Sequence, residues 1–203
     1  MTAAVTDDPP ASPAPRKPRK IFLLAGVVVA VALGIGLFTS VGTHDSATSG
    51  PPHGGGDVPT FSGTNLNGTG SVQVSAAAAD GTPTVILFFG KWCPGCHAEL
   101  PPLAAAVRQQ KASAGPLRRI QVIGVDSEDS VGNAKSFIKS TGVTFPVAYD
   151  PNVSILSGDF YFTGDPNAVF VNGNGKIEKI VNGDQLTPAS FTADERALTP
   201  SGR

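Results

Sequence analysis

The sequence predicts an α/β fold with a mixed central β-sheet, preceded by one apolar N-terminal segment. Three observations predict it. Residues 84–89 are uniformly apolar, with β-branched and aromatic side chains, as in a strand buried on both faces. Strand-like and helix-like patterns alternate from there to about residue 198, which is the signature of a layered α/β domain. Residues 21–38 form one apolar run, flanked by sequence that offers it nothing to pack against.

The chain has 203 residues, which suits one domain plus appendages. Its net charge of −1 gives no electrostatic basis for binding nucleic acid. No internal repeat is visible. Residues 1–20 lack apolar periodicity and read as a disordered cytoplasmic tail ending in Arg16, Lys17, Arg19 and Lys20. The run that follows has 18 residues, about 27 Å of helix against a ~30 Å hydrocarbon core. No charged residue occurs between Ile21 and Thr43. Residues 21–42 are therefore expected to form a transmembrane signal-anchor, with the preceding basic cluster holding the N-terminus inside and the rest outside. The run exceeds the usual apolar core of a cleaved signal, although Ser40, Val41 and Gly42 leave a cleavage site open. Residues 43–58 read as a flexible linker, rich in Ser, Thr, Gly and Pro, with a span of roughly 22 Å. His44 and His53 read there as solvated side chains.

Residues 59–203 form the expected globular domain. Phe61 and residues 72–74 suggest a short hairpin around Asn67-Gly68. The buried strand 84–89 comes next. Leu100, Leu103, Ala104 and Val107 recur at helical spacing, and Pro101 and Pro102 should kink that helix or delay its regular start. Residues 120–125 form a second buried strand. Ser130 caps the next helix, whose apolar face is Ala134, Phe137 and Ile138, and Gly142 ends it. Residues 145–149 are a short strand or edge. Residues 168–171 and 177–181 flank a strong turn signal at 172–175. A last helix runs from about Thr187 to Leu198. The order reads β-α-β-α-β-β-α.

The only two cysteines are Cys93 and Cys96, placed between the buried strand and the helical pattern. A chain that uses cysteine once, as a close pair, is not building a disulfide framework. With His97, the pair fits three templates: a dithiol redox motif, half of a zinc site, and covalent haem attachment through C-x-x-C-H. Zinc needs four ligands, and no further cysteine exists. Haem needs an axial partner besides His97, and Met1 is the only methionine. Trp92 and a buried strand before the motif, with a helix after it, favour redox chemistry, so no metal and no cofactor are expected. An inert bridge is disfavoured, because a two-residue loop removes little chain entropy.

The redox reading has a direct physical basis. At a helix N-terminus, unpaired N–H groups and the helix dipole stabilise a thiolate on Cys93. That thiolate attacks a substrate disulfide, and Cys96, shielded by the first helical turn, resolves the mixed disulfide.

Here the chain resembles the thioredoxin superfamily, in particular its membrane-tethered, extracytoplasmic TlpA/ResA-type branch, over about residues 58–198. The resemblance rests on several segments in order. They are residues 59–61, the active-site run 88–101, residues 122–126, 142–147, 149–151 and 164–166, and the turn 174–177. It implies a thioredoxin-like sandwich. It implies that Pro166 is the cis-proline facing the cysteines, beside which an extended substrate segment pairs. It implies that Glu99 is an acid near the pair, able to shuttle the proton of Cys96. Trp92, Pro94 and Gly95 complete the supporting motif.

Two departures stand out. The acid that ordinary thioredoxins carry in the strand before the motif corresponds here to Leu87, which leaves acid–base work to Glu99. Asp165 stands before Pro166, where a small neutral or hydroxyl residue is commoner in this branch. An anionic Asp165 would oppose thiolate formation on Cys93 and tune the pair toward reduction.

The expected protein is a membrane-anchored thiol–disulfide oxidoreductase on the outer face of the cytoplasmic membrane, secreted if the anchor is cleaved. It acts on protein thiols and disulfides as a monomer. The resemblance implies a reductant fed by a transmembrane electron carrier and serving cytochrome c biogenesis. An oxidant in disulfide formation would use the same parts. A copper or haem chaperone is an alternative of another class. A peroxiredoxin-type peroxidase fits less well, because Cys93 follows Lys91-Trp92 rather than a Pro/Thr-rich approach.

Overall fold

The computed structural model describes residues 50–76, 80–183 and 185–199. The expected tail, the apolar segment 21–42 and the first part of the linker lie outside these residues. Among the described residues, no helix is long and apolar enough to cross a membrane.

A two-stranded hairpin opens the domain, β1 (Phe61–Thr64) against β2 (Ser71–Val74), with Phe61 opposite Val74. Then follow β3 (Thr84–Phe89), α1 (Pro94–Ala112), β4 (Gln121–Ser127), α2 (Val131–Thr141), β5 (Val147–Asp150), β6 (Asn167–Val171), β7 (Ile177–Asn182) and α3 (Pro188–Leu198). The five-stranded sheet has the order β5-β4-β3-β6-β7. β3 runs parallel to β4 and antiparallel to β6, so the sheet is mixed, as expected. Residues 145–149, left between strand and edge by their sequence, contribute β5, the edge strand beside β4.

β3 divides the core. Val85, Leu87 and Phe89 face a cluster built with Leu100, Leu103 and Val107 of α1, Phe137 of α2 and Phe191 of α3. Ile86 and Phe88 face the opposite cluster, with Phe61, Val72, Ile155, Leu156, Phe160 and Phe162. Two successive parallel crossovers, β3-α1-β4 and β4-α2-β5, step the same way along the sheet, so both helices cover one face. The hairpin and the turn Ser154–Asp159 cover the other.

Local signals hold where they were read. The Ser130 hydroxyl accepts from Asn133 N at 3.3 Å, and Gly142 ends α2 at φ 70°. Thr187 and Ser190 form a reciprocal capping box at the start of α3. Two features differ. α1 starts at Pro94 and runs through Pro101 and Pro102, so its start is not delayed. The carbonyls these prolines leave unbonded belong to His97 and Ala98, both on the exposed side of the helix. Composition places residues 54–58 in the linker, but they dock on the β6–β7 turn and the start of β7. Gly55 N donates to Ile177 O at 2.7 Å, Val58 N to Gly175 O at 2.9 Å, and Lys176 pairs with Asp57 at 2.8 Å.

Glu195 is fully buried where α3 meets α1, with the Gln110 amide donating to it. Burial pushes its carboxyl from 4.5 to about 7, against the Gln110 hydrogen bond and the charge of Lys111. The folded state therefore holds this proton more tightly than the unfolded chain. Stability from this group is full below pH 4.5 and is lost as pH rises through about 7. Glu195→Gln should leave the melting temperature nearly unchanged at pH 4 and raise stability at pH 8 by about 1–3 kcal/mol. Thermal melts across that range check it, and equal effects at both pH values would contradict it.

Candidate functional site

The site is assembled where β3 ends. Gly90 follows Phe89 without a side chain because none fits: a Cβ there would lie 2.4 Å from Trp92 Nε1 and 2.9 Å from Ser127 O. The Trp92 indole folds back and donates to Ser127 O at 2.9 Å, and Lys91 N donates to Asp129 Oδ2 at 2.6 Å. The approach to the cysteines is thus clamped to the loop that joins β4 to α2. The Trp92 side chain otherwise remains exposed.

Cys93 is the N-cap of α1, with extended backbone, and its Sγ accepts from Cys96 N at 3.1 Å. Pro94 takes the first helical position, where its missing N–H is not needed. The cysteines are joined in a disulfide with Cα atoms 5.3 Å apart. Both are 1% exposed, so burial does not separate an attacking from a resolving sulfur. What separates them is position. Only Cys93 sits at the cap, where helix N–H groups and the dipole favour negative charge.

The Asp165–Pro166 peptide bond is cis. The Pro166 ring faces the motif: a Cβ on Gly95 would lie 3.3 Å from Pro166 Cδ. Gly95 therefore allows the proline to rest against the start of α1. The Pro166 carbonyl is already used, accepting from Gly183 N at 2.9 Å. Glu99 is half-buried on α1, with Oε2 enclosed. His97 is exposed, its Nε2 lies 2.7 Å from Lys91 O, and its ring rests 4.7 Å from that of Phe137. Among the described residues, no group of three or more His, Cys, Asp or Glu could hold a metal ion.

The electrostatics are acidic. Burial pushes Asp165 up to about 7, against its hydrogen bond with Asn167, and Asp150, Glu128 and Asp129 add repulsion. Asp126 at the end of β4 is fully buried. Its carboxyl is pushed up to about 8, first by burial and then by the charges of Asp129 and Asp165. Sequence reasoning missed Asp126, Ser127 and Asp129 as parts of the site. The available signal was periodicity: in β4, Asp126 falls on the same face as Val122.

A model of the AhpC/TSA family matches residues 55–180. The thiol-disulfide oxidoreductase ResA of Bacillus subtilis (strain 168) is 27% identical over 171 residues, covering 83% of this chain and 88% of its own. The sporulation thiol-disulfide oxidoreductase A of the same organism is 27% identical over 99 residues, 49% of this chain and 58% of its own. Among solved structures, MTB dsbF, in its mixed oxidized and reduced forms, is 28% identical. It superposes with a TM-score of 0.56 over 68% of this chain and 95% of its own. The chain belongs to the AhpC/TSA family, as a TlpA/ResA-type member of the thioredoxin superfamily.

Proposed function

We propose that this protein is a membrane-anchored, extracytoplasmic thiol–disulfide oxidoreductase that reduces protein disulfides through Cys93 and Cys96. The observation that carries the reading is Cys93 Sγ at the N-cap of α1, bonded to Cys96 and faced by Pro166 across Gly95. The ResA relative bears the name of this activity.

Each residue takes a role. Reduced Cys93 attacks a substrate disulfide, and Cys96 displaces the substrate thiolate from the mixed disulfide. Glu99 exchanges a proton with Cys96. Trp92, Pro94 and Gly95 hold the motif's shape. A substrate segment pairs with the backbone of Asp165, because the carbonyl of Pro166 is engaged by Gly183.

The acidic surroundings support a reductant. Negative charge beside Cys93 disfavours its thiolate, which destabilises the reduced form and lowers the potential. The uncharged run from Ile21 to Thr43, behind Arg16, Lys17, Arg19 and Lys20, supports the anchor. Electrons would come from a transmembrane carrier, and disulfides in apocytochrome c are a fitting substrate.

The deciding measurement is the midpoint potential of the full-length protein in detergent. A value nearer about −270 mV than about −120 mV supports the reductant, and the reverse makes it an oxidant. Cys93→Ser should abolish dithiol-dependent insulin reduction, whereas Cys96→Ser should accumulate mixed disulfides with substrate. Copurifying haem or copper absorbance would instead support a chaperone. Asp165→Thr should move the Cys93 titration downward by roughly half a pH unit or more and raise the potential; an unchanged titration removes Asp165 from the tuning. Protease added to intact spheroplasts should digest the domain while carbonate washing leaves the chain in the membrane.

A further inference from the structure

Asp126 has no role in the chemistry described so far. In β4, Val122 joins the cluster on the helix side of the sheet, while Ile123 and Val125 join the opposite one. By alternation Asp126 faces the helix side, the layer that holds Leu87, Phe89, Cys93 and Cys96. It lies opposite Phe89, the last residue of β3 before the motif. The strand beneath the motif brings only Leu87 and Phe89 to this part of the layer, so the carboxyl comes from its neighbour.

The side chain is fully buried, and neither carboxylate oxygen has a hydrogen-bond partner among the described residues. Burial without a partner costs either form, and it costs the charged carboxylate far more than the neutral carboxyl. The residues next to it hold the motif: Ser127 O accepts from Trp92, and Asp129 accepts from Lys91 N. Around Asp126 are Asp129 from the loop after β4 and Asp165 from the loop before β6, and behind Asp165 lie Glu128 and Asp150. On β5 the register partner of Asp126 is the half-buried Tyr149, whose hydroxyl donates to Asp129 O at 2.9 Å, the motif adds Cys93 and Cys96 to the same layer, and the first turns of α1 carry His97 and Glu99. The Lys91 amino group is engaged by Asn133 at 2.9 Å. Neither the Lys176–Asp57 pair nor the Lys179–Asp194 pair involves Asp126, Asp129 or Asp165.

We propose that Asp126 is a positioning residue whose protonation is linked to that of the Cys93–Cys96 dithiol, so that Cys93 and Asp126 are not both ionised in the reduced site. The inference rests on the dithiol reading of the pair. An external dithiol donates two electrons and becomes a disulfide, the Cys93–Cys96 bond breaks, and two protons are released from the donor. One goes to Cys96 and the other to solvent, leaving Cys93 as thiolate while Asp126 keeps its own proton. Ionising Asp126 as well would set a second negative charge in the same buried layer. Thiolate formation and Asp126 ionisation therefore proceed as two coupled steps.

The test is the pH titration of reduced full-length protein in detergent, read by thiolate ultraviolet absorbance and iodoacetamide alkylation rate. The wild type should ionise in two steps. In Asp126→Asn the step contributed by Asp126 should be missing, with the Cys93 midpoint lower by about one pH unit. An unchanged Cys93 titration in Asp126→Asn overturns the proposal. Infrared difference spectra between oxidised and reduced wild-type protein carrying 13C-labelled aspartate give a measurement that needs no folded Asp126 variant. A protonated aspartic acid band that shifts on reduction, and persists in Asp165→Asn, supports it; no aspartic acid change overturns it. Failure of the underlying reading looks different, because the wild type would then show no reducible Cys93–Cys96 bond by alkylation mass.

Discussion

The site depends on one constraint, the burial of β3 on both faces. Adjacent residues of a strand point to opposite sides, so Phe88 and Phe89 are driven into different cores. Phe88 packs edge-on against Phe160 and Phe162, at 4.8 and 5.2 Å, and Phe89 meets Phe137 at 6.2 Å. Each such burial contributes roughly 1.5–3 kcal/mol. A slip of one residue would exchange the two sets, so the strand's register is strongly specified. The end of β3 therefore has a fixed place, and the chain leaving it through Gly90 can deliver Cys93 to the start of α1. The clamps from Trp92 to Ser127 and from Lys91 to Asp129 then tie the motif to the neighbouring strand.

Two opposed fields meet at the cysteines. The N-terminus of α1 favours a thiolate on Cys93, and Cys96 N already points at its sulfur. On the proposed reading, negative charge from the nearby acids opposes it: burial and neighbouring charges push Asp126 up to about 8 and Asp165 up to about 7, so both exchange protons near neutral pH. The first field comes from backbone geometry and hardly changes with pH. The second changes as the carboxyls ionise. A dithiol between them has a reactivity set by the balance, and that balance is the physical content of a reducing or oxidising site.

Much of the fold was legible because it is written locally. Ser130 and Gly142 bound α2, Thr187 opens α3, and residues 172–175 turn β6 into β7, each through bonds between near neighbours in the chain. Other features rest on contacts no local pattern reports. Residues 54–58 read as linker from composition, yet their backbone pairs with a strand more than a hundred positions on. The helix from Pro94 accommodates Pro101 and Pro102, because the carbonyls they leave unbonded face outward.

The sequence by itself determined the kind of chemistry: two cysteines three positions apart, at a helix start, with Gly95 and Pro94 between them. Cap position, spacing and reactivity are properties of a short stretch of chain. Only the tertiary structure decided the surroundings. It set Pro166 against Gly95, put His97 against Phe137 and the Lys91 carbonyl, and gathered Asp126, Asp129 and Asp165 from separate segments beside the motif. The reason is that charge and burial act through space. An aspartate ending a strand is ordinary in sequence, and its proton affinity is set by which groups the sheet order brings beside it.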